Sequence, residues 1–471
     1  MKRIMLICCS IVIAIAAIPV LALSEPDSCQ TPGAEVSDDV GCQAVEFYVA
    51  PSSVFVPDSS EQIASDAGEF AHTNYVIKNF TGTEPQSLED LSMPEPEANP
   101  EPDATFAEYP ASLACLYKMG PTYAGCVPTN NAAYNATGGS RAIAIVIAFD
   151  NPTAKADFNF FRSFFGLPAK NLTVVKVTTT NGYAGASCAT IPYNGGWALE
   201  SAMDTQWSGA MAPNANIILV EACDNSYVQL MLAEQVAIQR LNSGTGGQVS
   251  NSWSSGEWPT ESADWDWVFR SNWAQGKPVS FFFSAGDAGL GAQYPSSSPW
   301  VISAGGTTIN RNVNTQYFES ESCWAGSGGG TSAYETFSCT FGTGTGPWTD
   351  FQYPLFGQSA RRTPDISFDA DPASGAWVRY AGLWYVVGGT SLSAPALAGI
   401  VNNSNNRLGI APSGGGYYTN AENNLLYSQL LTNKEYKNNF YDVTTGSNGA
   451  PATVGWDYCT GVGSPRGKLG K

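Results

Sequence analysis

Ser391, Glu200, Asp204 and Asp287 are the residues whose types and settings could do chemistry. Ser391 lies in Gly-Gly-Thr-Ser-Leu-Ser-Ala-Pro-Ala-Leu-Ala-Gly-Ile (388–400), a glycine turn running into an apolar helix. That setting presents a hydroxyl at a helix N-terminus, as a nucleophile requires. A serine nucleophile needs a base, usually histidine. The chain has one histidine, His72, more than three hundred residues upstream. Carboxyl groups are the other candidates. Glu200 and Asp204 stand four apart in Gly-Gly-Trp-Ala-Leu-Glu-Ser-Ala-Met-Asp-Thr-Gln-Trp (195–207), so both project from one helical face. Met203, Trp207 and Met211 accompany them, which argues against a solvated face. Asp287 sits between glycines after the apolar run 280–286. Ionised, it would repel a developing negative charge; protonated, it could donate a hydrogen bond. The plainer readings are a pair of surface acids and an aspartate serving a turn.

The elements that must position these residues alternate between strand and helix. Apolar runs at 142–150, 172–179, 216–222, 248–253, 278–286 and 300–308 read as strands, several of them apolar enough to be buried on both faces. Helical segments are expected at 153–166, 197–210, 227–242 and 261–275. The pattern predicts an α/β fold, a doubly wound parallel sheet with helices on both faces and catalytic groups at the carboxyl ends of the strands. Asp150 ends the first strand and receives no role.

Composition limits the function classes. The 471 residues carry 22 Lys and Arg against 41 Asp and Glu, a net charge of −19. Nucleic acid and anionic membranes are poor partners for such a chain. Scarce cations also limit self-repulsion in acid, where carboxylates neutralise. Residues 1–22 read as a signal peptide and imply export, and nothing later is apolar enough to span a bilayer. Residues 23–81 are weakly patterned. Residues 82–110 read as an acidic, proline-rich linker, with eight acidic residues, five prolines and no Lys or Arg over 82–108. The main domain follows at 111–471. Of eleven cysteines, Cys8 and Cys9 fall in the signal. Local spacing suggests Cys29 with Cys42, Cys115 with Cys126, Cys188 with Cys223 and Cys323 with Cys339, leaving Cys459 free. Residues 440–465 form a glycine-rich loop with Asp442 and Asp457, hard oxygen donors suited to calcium.

Taken in order, Glu200-Ser-Ala-Met-Asp204 with Ala212-Pro213, Ala285-Gly-Asp287-Ala-Gly289, and Gly388-Gly-Thr-Ser391 with Pro395 resemble the sedolisin family, the serine-carboxyl peptidases. Met203, Ala288 and Gly388 depart from the family pattern without removing a functional side chain. The resemblance covers roughly 111–467. It implies a subtilisin-like fold with a short N-terminal prosegment, Ser391 as nucleophile, Glu200 as general base, Asp204 orienting Glu200, and Asp287 as oxyanion-hole acid. It implies a substrate-binding strand at Ser252, Trp253 and Ser254, pairing the peptide backbone; for Trp253 a buried core position is the competing reading. It also implies one structural Ca2+, held by Asp442, Asp457 and the carbonyls of Val443, Thr453 and Gly455. The absent histidine then makes sense: a carboxylate base with a protonated donor works in acid, where imidazole would be cationic.

The leading expectation is a secreted, monomeric, acid-acting endopeptidase on protein or peptide substrates. Two alternatives stand beside it. One is a catalytically inactive relative that binds, against which all four residues are in place. The other is a secreted carbohydrate-binding or adhesive protein, suggested by 13 Trp and 21 Tyr but opposed by the parallel α/β pattern.

Overall fold

In the computed structural model, the described residues are 54–78, 107–128, 138–270, 277, 279–336, 351–404, 418–432 and 435–469. The expected signal peptide, most of the linker, and Cys29, Cys42 and Cys339 lie outside them.

Apolar strands buried on both faces form the middle of one central sheet, with more exposed strands at its edges. Its order is Phe318–Cys323, Ile302–Arg311, Val279–Ser284, Gly247–Asn251, Ala142–Ala148, Asn216–Ala222 and Thr173–Lys176, with Ile366–Asp369 also pairing Ile302–Arg311. All these pairs are parallel except that of Phe318–Cys323. Ala142–Ala148 is the first strand in sequence yet lies mid-sheet, with Gly247–Asn251 on one side and Asn216–Ala222 on the other. The winding direction reverses there. In such sheets the crevice beyond the carboxyl strand ends at this point holds the ligand.

Helices cover the sheet. Gly195–Met211 starts where Asn194 accepts the Trp197 N–H at 3.2 Å, a side-chain N-cap. Ala212-Pro213 follows it and cannot continue the helix. Thr390–Ser404 is buried along its whole length. The two helices pack together, and Gly399 is why they can come so close. A Cβ there would lie 2.7 Å from both Met211 Cβ and Ser208 O.

Two differences from the sequence reading matter. The run at 248–253 is not one strand. Gly247–Asn251 stays in the central sheet, and Trp253–Gly256 turns out into a three-stranded sheet between Gln293–Tyr294 and His72–Thr73. Ser252 is the pivot. The other difference is covalent: Cys115–Cys126 and Cys188–Cys223 form, but Cys323 pairs with Cys459 across 136 residues. The strand ending at Cys323 meets the C-terminal loop, where the Cys323 N–H donates to Thr445 O at 2.8 Å. That sheet-borne proximity cannot be read from local spacing.

Candidate active site

Ser391 opens the buried helix Thr390–Ser404. Its hydroxyl donates to Ser252 O at 3.4 Å. Glu200 and Asp204 approach from Gly195–Met211, and both are fully buried. Neither Glu200 oxygen has a hydrogen-bond partner of ordinary geometry. Burial, then the neighbouring Asp204 charge, pushes the Glu200 pKa well up; the Ser391 hydroxyl acts in the opposite sense. Asp204 is also raised, by burial, while the Ser252 hydroxyl partly restores its charged form, donating to Oδ1 at 2.7 Å. No salt bridge neutralises either group among the described residues. Two such carboxyls cannot both ionise cheaply, so the pair holds a proton between them.

Asp287 follows the strand Val279–Ser284. Thr390 ties it to the Ser391 helix: its N–H and its hydroxyl each donate to Asp287 Oδ1 at 2.8 Å. The other oxygen, Oδ2, is buried with no partner. Burial pushes Asp287 up to about 7, against the two Thr390 bonds. Gly389, at φ 120°, leaves the space in front of Oδ2 open.

That space is filled by the chain's own N-terminal region. Residues 70–78 run extended through the crevice. Phe70 bridges Ser226, His72 and Thr73 pair with Ser254 and Trp253, and Val76–Lys78 pairs with the strand Leu383–Gly388. Between these pairings Asn74 meets the serine. Its N–H donates to Ser391 Oγ at 3.1 Å, and its carbonyl accepts the Ser391 N–H at 3.0 Å. A Cβ on Gly389 would lie 2.2 Å from Asn74 O and 2.6 Å from Asp287 Oδ2. The Asn74 carbonyl oxygen therefore faces both the Ser391 N–H and the unpartnered Asp287 oxygen.

The structure thus brings Ser391, Glu200, Asp204 and Asp287 together. Trp253 is buried, its indole N–H donating to Val146 O at 3.1 Å, and its backbone pairs with this chain's own Thr73. Ser252 pairs no peptide backbone in this register; its hydroxyl spans Asp204 Oδ1 and Ser391 O, the latter at 3.2 Å. Asp150 stands apart, bound to Lys176 at 2.6 Å. His72 comes within two residues of Asn74, but its Nδ1 lies against Thr73 O at 3.0 Å and it makes no bond to Ser391. Sequence reasoning missed residues 70–78, although Thr-Asn-Tyr-Val-Ile is rich in strand-forming types.

The C-terminal loop converges on its two aspartates. Asp442 Oδ1 accepts the Gly455 N–H at 2.9 Å and the Tyr436 hydroxyl at 3.1 Å, and Asp457 Oδ2 accepts the Thr453 N–H at 3.2 Å. Both charges raise the Tyr436 pKa, behind the larger effect of burial. No backbone N–H among the described residues is given to the carbonyls of Val443, Thr453 or Gly455. Two carboxylates with spare main-chain oxygens and no paired cation fit a hard divalent ion. Among the described residues no group of three or more His, Cys, Asp or Glu is placed to hold a metal ion, so an ion here would depend on those carbonyls.

Comparison with known proteins agrees with this geometry. No family model matches the chain. Kumamolisin of Bacillus sp. (strain MN-32) is 30% identical over 304 residues, covering 57% of this chain and 49% of kumamolisin. Xanthomonalisin of Xanthomonas sp. (strain T-22) is 26% identical over 442 residues, 80% of this chain and 47% of that protein. The chain is similar in sequence to members of the sedolisin family. In the solved structure of Pseudomonas sedolisin (serine-carboxyl proteinase), complexed with two molecules of pseudo-iodotyrostatin, the same fold covers 77% of this chain and 96% of that one, with a TM-score of 0.58 and 23% identity. This subtilisin-like fold carries the mostly parallel sheet described above. The chain spans about half the length of the curated relatives it matches.

Proposed function

We propose that this chain is a serine-carboxyl endopeptidase of the sedolisin family that cuts polypeptides in acid. The observation that carries the reading is the Asn74 carbonyl, held at 3.0 Å by the Ser391 N–H beside the unpartnered Asp287 Oδ2. A substrate carbonyl at this place is set for attack. Ser391 Oγ adds to the carbonyl carbon as its proton passes to the Glu200–Asp204 pair, which carries one negative charge. The new oxyanion accepts from the Ser391 N–H and the protonated Asp287. Collapse breaks the C–N bond, and the amine leaves with the proton returned by Glu200. Water then hydrolyses the Ser391 ester by the same proton path. Asp204 and Ser252 position Glu200 and do not touch substrate.

Acid follows from these groups. Asp287, raised to about 7, holds the proton it must donate only below that pH. Histidine could not be the base there. The crevice favours internal cleavage, because residues 70 and 71 continue the pairing beyond Asn74, Thr73 and His72 with no wall after three residues. The Ala71 N–H donates to Asn225 O at 2.9 Å, and Asn225 Nδ2 donates to Ala71 O at 2.7 Å.

Residues 54–78 act on this reading as a short prosegment that keeps the intact chain latent. Three disulfides among the described residues and the N-terminal apolar run support a secreted protein. No described helix is long and apolar enough to cross a membrane. Asp442, Asp457 and the carbonyls of Val443, Thr453 and Gly455 would hold one Ca2+, whose part is to stiffen the loop rather than to react. Digestion of denatured protein at pH 4 by wild type and Ser391→Ala tests the function. Equal digestion by the two would end it.

A further inference from the structure

The side chain of Asn74 points into a pocket whose chemistry is specific. Its Nδ2 donates to Ser254 Oγ at 2.9 Å and to Ser284 Oγ at 2.7 Å. The Ser254 hydroxyl proton goes onward to Gln293 Oε1 at 2.6 Å. Asn74, Ser254 and Ser284 are at most 1% exposed, and Gln293 is buried behind them. Gly286, at φ 105°, makes room for Gln293: a Cβ there would lie 2.4 Å from Oε1. The Ser254 hydroxyl also lies 3.1 Å from Asn74 Oδ1, so Ser254 meets both ends of the amide, accepting from Nδ2 and sharing its proton between Gln293 Oε1 and Asn74 Oδ1. The pocket therefore presents acceptors to a group that must bring two N–H donors on a short stem.

We propose that Ser254, Ser284 and Gln293 select asparagine on the acyl side of the cleaved bond, so that the substrates are polypeptides cut after Asn. The proposal rests on the peptidase reading and names the substrate class of that same site. Leucine would fill the space but deprive the buried Ser284 and Ser254 oxygens of the amide donor they share, with Ser254 keeping only its bond to Gln293. A site built to bond a polar group rejects analogues that lack it far more strongly than a hydrophobic pocket rejects a size change. Aspartate would lack the N–H donors that Ser254 and Ser284 accept and would bury a charge once ionised. Protonated, it regains one donor, so discrimination against Asp should grow as pH rises past its ordinary pKa near ~3.9. Glutamine carries the same amide one methylene too far.

The test uses the full-length protein, first held at pH 4 to release residues 54–78, and synthetic peptides with the sequence of residues 70–78, carrying Asn, Asp, Leu or Gln in place of Asn74. Turnover is followed by mass spectrometry from pH 3 to 6. Cleavage after Asn should exceed cleavage after Leu roughly tenfold or more at every pH. The Asn-to-Asp ratio should widen between pH 3 and 5. Ser284→Ala should narrow the preference over Leu. Cleavage after Leu as fast as after Asn would overturn the pocket assignment while leaving the peptidase intact. If no peptide is cut, the peptidase reading itself fails, and the pocket is then judged without activity. In full-length Ser391→Ala, Asn74→Leu should let an added protease cut residues 54–78 several-fold faster. Unchanged protection would overturn the proposal.

Discussion

Glu234→Gln should stabilise this protein near neutral pH and do nothing in acid. Glu234 lies on the helix Tyr227–Asn242, fully buried, with no hydrogen-bond partner for either oxygen. Burial raises its pKa from an ordinary 4.5 to about 8, and a contact with Asn251 opposes this only in part. A carboxyl whose pKa is raised on folding gives its full stability below the unfolded value. That stability is lost as pH climbs through the folded one. At pH 7 the unfolded group has released its proton and the folded group has kept it. The gap of two and a half units between 4.5 and 7, at ~1.4 kcal/mol each, costs about 3 kcal/mol. Glutamine has nearly the same shape and never ionises, so it removes that cost. Urea unfolding of Glu234→Gln in a Ser391→Ala background, to stop self-digestion, should show a gain of about 3 kcal/mol at pH 7 and close to none at pH 4. A gain of equal size at both pH values, or a loss at pH 7, would refute the reasoning. Glu221, Glu261, Asp266 and Asp287 are raised with the same sign, to about 8, 9, 6 and 7. The whole protein should therefore be most stable in acid.

Asp287→Asn keeps an N–H donor that cannot ionise; it should retain more activity than Asp287→Ala and decline less steeply from pH 4 to 7, whereas equal inactivity in two folded variants would assign Asp287 another task. Asp442→Ala, or EDTA, should lower Tm and speed self-digestion, and an unchanged Tm with EDTA would count against a bound ion. Replacing Cys323 and Cys459 together by serine should cost roughly 2–5 kcal/mol in urea unfolding, because the bond closes a long loop; no change would show that the pair is not joined in solution.

Much of this architecture was legible because its signals are local. Runs such as Ala-Ile-Ala-Ile-Val-Ile-Ala mark strands buried on both faces. The four candidate catalytic residues carry motifs of a few residues each, although their meeting depends on the whole sheet. What was hidden is long-range. Cys459 finds Cys323 only because sheet and C-terminal loop are neighbours. Ser252 reads as a strand residue, and nothing nearby shows that the chain pivots there to put its hydroxyl on Asp204. Apart from the short pairing of Ile77 and Lys78 with Val54–Phe55, residues 70–78 form strands by pairing with strands about two and three hundred residues away. Their periodicity is too short to stand alone, and a pocket built from Ser254, Ser284 and Gln293 has no sequence pattern.

The central claim is that a carboxyl pair replaces histidine as the base for Ser391. Glu200→Gln tests it most directly, since it preserves shape and removes only proton acceptance. Measured as kcat/KM on denatured protein from pH 3 to 7, with folding checked by circular dichroism, Glu200→Gln should fall roughly a hundredfold or more below wild type at every pH. A folded Glu200→Gln enzyme that cuts within a few-fold of wild type would contradict the account.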